Sequence, residues 1–128
     1  ERRATAPLER LLAVFDVLGE WCGMAGFRGC PFINAAAEYG EPESPIRQAC
    51  AEHNRIFYTY MRDLAAAAGV AEAEELARQL VSLFQGAIVI AYVNGEADAA
   101  KLAGNAARIL LENKLAQPAA EPAAAASG

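Results

Sequence analysis

The 128-residue sequence predicts an all-α fold, and three observations carry that prediction. Alanine dominates a composition that is 55% hydrophobic, and β-branched residues are sparse, a balance that suits helices over strands. Apolar residues recur at three- and four-residue steps along successive segments. Proline and glycine then mark where those segments start and stop. A chain of this length supports one domain with a real core, but not comfortably two.

The first helix is predicted from residue 7 to 21 or 22, with Pro7 in its first turn and Gly23 as its stop. Leu8, Leu11, Leu12, Phe15, Leu18 and Cys22 form its apolar stripe. The step Gly29-Cys30-Pro31 predicts a turn and a short helix ending near residue 40, carrying Phe32 and Ile33. Residues 41–45 read as a polar linker in which Ser44 caps a helix running to about residue 68. Its predicted stripe is Ile46, Cys50, His53, Phe57, Tyr60, Leu64 and Ala68. This places the single histidine on the apolar side. The stretch 74–94 is the centre of the chain: amphipathic at its start, it becomes apolar on nearly every side after Leu80. Such a helix must be covered all round. Gly86, costly in mid-helix, predicts a close approach by another backbone. A last helix is expected from about 96 to 115, with Leu102, Ala106, Ile109 and Leu110 as its stripe and Ala99, Ala103 and Ala107 alongside to admit a partner helix. Residues 1–116 are read as the domain and 117–128 as a disordered Pro/Ala tail.

A net charge of −5 and a pI near 4.9 exclude a basic nucleic-acid surface. The three cysteines form no CxxC pair, and their odd number argues for reduced thiols and a cytoplasmic protein. No signal peptide is read, because Glu1-Arg2-Arg3 leads into an amphipathic segment. No membrane span is expected, since spanning takes roughly 17–25 apolar residues and the run after Leu80 is shorter and interrupted. The chain starts without Met, which reads as the downstream piece of a longer protein. No phosphate loop, carboxylate pair or HExxH spacing is present, so an enzyme is not expected, and no cofactor or metal is assigned. His53 has three readings: a satisfied core side chain, a polar anchor in a pocket, or a metal ligand with Cys50.

The segment FRGCPFINAAAEY, preceded by ERLLAVFDVLGEW and followed by Pro45 and a helix containing EHNR, resembles the C-terminal regulatory domain of TetR-type transcriptional repressors. The later LVSLFQGAIVIAYVNGEADAA is similar to that family's penultimate helix and the hairpin into its last one. The resemblance covers about residues 7–115. It implies a five-helix regulatory domain whose last two helices build a four-helix dimer interface. It also implies a homodimer that binds a small apolar or aromatic effector and reaches DNA only through an N-terminal helix-turn-helix domain absent from this sequence.

Composition alone does not separate a filled aromatic core from a pocket; the resemblance points to the pocket. The candidate ligand contacts are then Phe15, Leu18, Trp21, Cys22, Phe32 and Asn34 in the first half. His53, Phe57, Tyr60, Phe84 and Ala87 complete the set, with Gln85 as a further polar candidate. The dimer seam is expected at Ser82, Gly86, Val89 and Val93, with Leu102, Ala106 and Ile109 from the last helix. Two alternatives stand beside this reading. One is a stand-alone helical dimer binding a hydrophobic ligand or a partner helix; the other is a Cys/His enzyme or zinc protein.

Overall fold

The computed structural model describes residues 6–38, 41 and 43–116, with the backbone alone at 32, 33 and 36. The chain forms α1 (Pro7–Cys22), the eight-residue α2 (Pro31–Glu38), α3 (Pro45–Ala67), α4 (Ala73–Val93) and α5 (Ala99–Ala116). The four long helices carry the packing. There is no strand among the described residues. The expected Pro/Ala tail, 117–128, lies outside them, as does residue 40, where the short helix was expected to end.

Local chemistry sets the helix limits. Pro7 and Pro45 stand in first turns, where a missing N–H costs nothing. The Ser44 hydroxyl accepts from the N–H groups of Ile46 and Arg47 at 3.2 and 3.4 Å, satisfying two of the donors a helix start leaves open. Gly69 and Gly95 take left-handed φ of +98° and +69° beyond the ends of α3 and α4, reversing the chain without a Cβ clash. The last helix begins at Ala99, three residues later than the sequence predicts. The carbonyl of Asp98 accepts from Leu102 N–H at 3.0 Å, so Asp98 stands at the cap and the residues before it turn the chain back.

Helix α4 is the centre of the packing, touching α1, α3 and α5. Leu76 and Leu80 are fully buried, with Leu11, Leu18, Met61 and Leu111 around them. Phe15 and Gly19 of α1 face Gly104 and Ala100 of α5, and Lys114 near the end of α5 meets Glu72 at the start of α4, so α5 runs antiparallel to both and α1 and α4 point the same way. The ring of Phe15 on α1 meets Phe84 on α4 edge-on, and Phe57 on α3 lies 4.7 Å from Phe84. By length and composition α4 is the one described helix long and apolar enough to cross a membrane, where the sequence was expected to be too short, and only 28% of its most apolar stretch is buried inside the chain. Much of its apolar surface is therefore left for something else to cover.

Two expectations are corrected. On α3, Cys50 and Leu64 of the predicted stripe are buried and Phe57 is half buried, but Met61 and Ala65 turn inward beside them, shifting the buried side by about one residue in the second half of the helix. His53 is exposed, Ile46 is 40% and Tyr60 48% exposed, while Met61 is 0%. Second, the alanines of α5 face inward: Ala99, Ala100, Ala103 and Ala107 are buried in the chain's own core. They let α1 come close, with Gly19 facing Ala100 and Gly104 facing Phe15. The partner they admit is α1. At Gly86 an added Cβ would meet nothing within 4 Å. No backbone of this chain crowds it.

Candidate functional site

A cavity of about 640 Å³ opens between α1, α3 and α4, within the range of about 300–1,000 Å³ usual for small-molecule sites. Helix α1 gives it Arg10, Ala13, Val14, Val17, Leu18 and Trp21; α3 gives Phe57 and Tyr60, and α4 gives Phe84. The α1 residues step by three and four, which places them on one face of the helix. Leu18 is buried at the base, and exposed Val17 and Tyr60 flank the opening. The wall is apolar and largely aromatic, and its polar groups are Arg10, the Tyr60 hydroxyl and the Trp21 indole N–H.

An aromatic chain leads away from this cavity. Trp21 packs edge-on against Phe27 at 5.0 Å, and Phe27 against Tyr92 at 6.2 Å. Tyr92 lies in the last turn of α4 and is half exposed. The loop carrying Phe27 is held by Asn34, whose Nδ2 donates to the Arg28 carbonyl at 3.0 Å. A cavity-lining residue and the end of the central helix thus share a continuous packed contact.

Of the residues singled out from sequence, the structure brings Leu18, Trp21, Phe57, Tyr60 and Phe84 to one cavity. Phe15 is buried behind it, in contact with Phe84, and lines a separate groove between α1 and α5. Ala87 is buried in the core and His53 is exposed; neither lines the cavity. Asn34 is engaged in the loop bond, the Gln85 side-chain oxygen Oε1 is buried without a hydrogen-bond partner, and the Phe32 side chain lies outside the described residues. Cys22 is half buried, and burial pushes its thiol pKa up, the opposite of what a nucleophilic thiolate needs. Among the described residues, no three His, Cys, Asp or Glu side chains group closely enough to hold a metal ion.

Sequence reasoning missed Arg10, Ala13, Val14 and Val17. The signal was present: α1 carries a second apolar line beside its core stripe, and a helix apolar on two faces has two things to cover. Outside the cavity, Ser82, Val89, Val93, Leu102 and Ile109 are exposed, and Gly86 and Ala106 are partly exposed. Val93 stands 71%, Ile109 63% and Leu102 55% open to solvent. Together with Ile90 and Tyr92 they leave large apolar side chains uncovered along α4 and α5.

The geometry can be set beside known proteins. Residues 7–107 match the model of the family described as tetracyclin repressor-like, C-terminal domain. None of the curated proteins compared with the chain matches it. Among solved structures it is similar to SCO4454, a TetR-family transcriptional regulator from Streptomyces coelicolor, with a TM-score of 0.81 and 26% identity. That likeness covers 86% of this chain and 58% of the regulator, so the chain spans a little over half of that protein's length. With the matched residues running from the first turn of α1 into α5, the chain belongs to the tetracyclin repressor-like C-terminal domain family.

Proposed function

We propose that this chain is the effector-binding and dimerisation domain of a TetR-type transcriptional regulator. A small apolar or aromatic molecule enters the cavity among α1, α3 and α4. The effect passes to an N-terminal helix-turn-helix domain outside this sequence. The observation that carries the reading is the cavity itself: apolar, open on one side and walled by Trp21, Phe57 and Phe84. A domain that needed those aromatics only for its core would have closed on them.

Two subunits meet through the apolar faces of α4 and α5, giving a four-helix interface with Gly86, Val89 and Val93 at its seam. The open space at Gly86 supports this, since the close approach that a mid-helix glycine serves is then supplied by the second subunit. Effector binding shifts a population: it favours whichever spacing of the two DNA-reading heads it binds better. The contact from Trp21 through Phe27 to Tyr92 offers a physical route from cavity to seam. The domain alone binds no operator.

Thermal shift of the chain against a library of apolar and aromatic small molecules tests the cavity. Binders should raise Tm, with the shift growing as the logarithm of ligand concentration above Kd, and lose that effect in Phe57→Ala. Binders that shift wild type and Phe57→Ala equally would place the ligand elsewhere and overturn the reading.

A further inference from the structure

The wall of the cavity narrows the effector to a class, an inference that rests on the effector-cavity reading above. Among the described residues, Arg10 is the one charged side chain in that wall. It already interacts within the chain, so an anionic ligand would have to displace that contact to gain a counter-charge. The chain as a whole carries −5, which further opposes the approach of an anion. A cationic ligand fares no better. The guanidinium keeps its own charge whatever it touches, and no carboxylate of the described residues stands in the wall to offset it. An ion of either sign would leave water for a site that offers it no free counter-charge, and burial of an unpaired charge is costly. A neutral molecule meets neither penalty.

The rest of the wall is rich in rings. Trp21, Phe57, Tyr60 and Phe84 come to it from three helices. Several of these rings are held in set orientations by others. Phe84 meets the buried Phe15 at 67° and Phe57 at 52°, with ring centres 6.0 and 4.7 Å apart. Trp21 is braced by Phe27, nearly perpendicular at 86°. Braced rings present fixed faces and edges to whatever enters. A guest ring can answer them with edge-to-face or offset contacts, which are worth more than the area they bury, whereas a saturated guest of the same outline gains the area alone. The geometry points to a neutral aromatic molecule as the effector. Its rings lie among Trp21, Phe57 and Phe84, and any hydroxyl or carbonyl it carries turns toward the opening, where Tyr60 stands half exposed.

The test uses four probes of similar outline, titrated into the intact chain at neutral pH and followed by calorimetry: 2-naphthol, 2-naphthoate, 2-naphthylmethylammonium and the saturated decahydro-2-naphthol. The neutral 2-naphthol should bind roughly tenfold or more tighter than either ion, because each ion buries its charge without a free partner. It should bind about two- to tenfold tighter than decahydro-2-naphthol, the worth of ring–ring contact beyond area. Phe57→Leu keeps an apolar wall and removes one ring, so it should narrow that second gap while both alcohols still bind; an unchanged gap would take the aromatic contact away from Phe57 and overturn its placement. An ion that binds as tightly as 2-naphthol, with both lost in Phe57→Ala, would overturn neutrality and leave the cavity standing. Equal affinity for the aromatic and the saturated alcohol in wild type would overturn the aromatic class. If none of the four binds wild type, the proposal falls; the cavity reading then falls with it only if no molecule of the thermal-shift library shows a Phe57-dependent shift.

Discussion

A Cβ placed on Gly104 would stand 3.2 Å from that of Phe15, whereas one placed on Gly86 would meet nothing. Two glycines inside helices therefore carry opposite consequences. Gly104→Val should destabilise the domain by about 1–3 kcal/mol, the usual cost of overfilling a packed contact, read as a lower Tm. In the isolated subunit, Gly86→Ala is free of clashes and gains up to about 1 kcal/mol of helix propensity. Gly86→Leu should instead separate the proposed dimer, and a Gly86→Leu protein that remains dimeric would remove Gly86 from the seam. Phe57 is half buried and tilted against Phe84. Phe57→Ala should cost less than the roughly 3–5 kcal/mol of a fully buried phenylalanine, leaving a folded protein whose cavity has lost a wall.

At the scale of the element, capping and ion pairing make separable predictions. Ser44→Ala removes the acceptor for two N–H groups of α3 and should cost about 1 kcal/mol, measured by chemical denaturation. The hairpin of α4 and α5 is tied at its open end, where Lys114 Nζ donates to the Glu72 carboxylate at 2.8 Å. That hydrogen bond, then the charge of Lys114, holds the Glu72 pKa below its ordinary 4.5, and the same bond lifts Lys114 above 10.5. A depressed carboxylate stabilises the fold above its unfolded value and stops doing so as pH falls through the folded one. A raised amine stabilises below its unfolded value and loses that as pH climbs through the folded one. The tie is thus complete between about pH 4.5 and 10.5, and Lys114→Met should lower Tm slightly at pH 7 and by progressively less as pH falls through the folded pKa of Glu72.

Much at this scale was legible in the sequence, because caps and breakers act locally. Pro7, Pro45, Gly69 and the Asn94-Gly95 exit mark boundaries that the structure keeps within a residue or so. The rotation of α3 was not legible. Alanine suits either face of a helix, so a stripe through His53 and Tyr60 fits the pattern as well as one through Met61 and Ala65. Only the neighbour decides. The cavity was partly legible for the same reason: its aromatics announce themselves, whereas Ala13, Val14 and Val17 read as ordinary apolar filling until α3 is seen to stand away from them. Arg10 reads as a solvated charge from sequence and becomes a wall residue only when α3 and α4 complete the cavity.

For the whole molecule, the question is what covers the outer face of α4 and α5. Val89, Ile90, Tyr92, Val93, Leu102 and Ile109 are all exposed, an apolar load of the kind that marks an interaction surface. A second copy of the chain covers it in the proposed account, and Ile109→Glu should then yield a folded monomer, since a charge on a desolvated seam finds no partner. Native mass spectrometry of the 13.5 kDa chain at micromolar concentration tests the account most directly. It predicts twice the chain mass, falling to a single chain in Ile109→Glu and Gly86→Leu, with added ligand retained by the wild-type dimer. A wild-type monomer that leaves this face in solvent would contradict it.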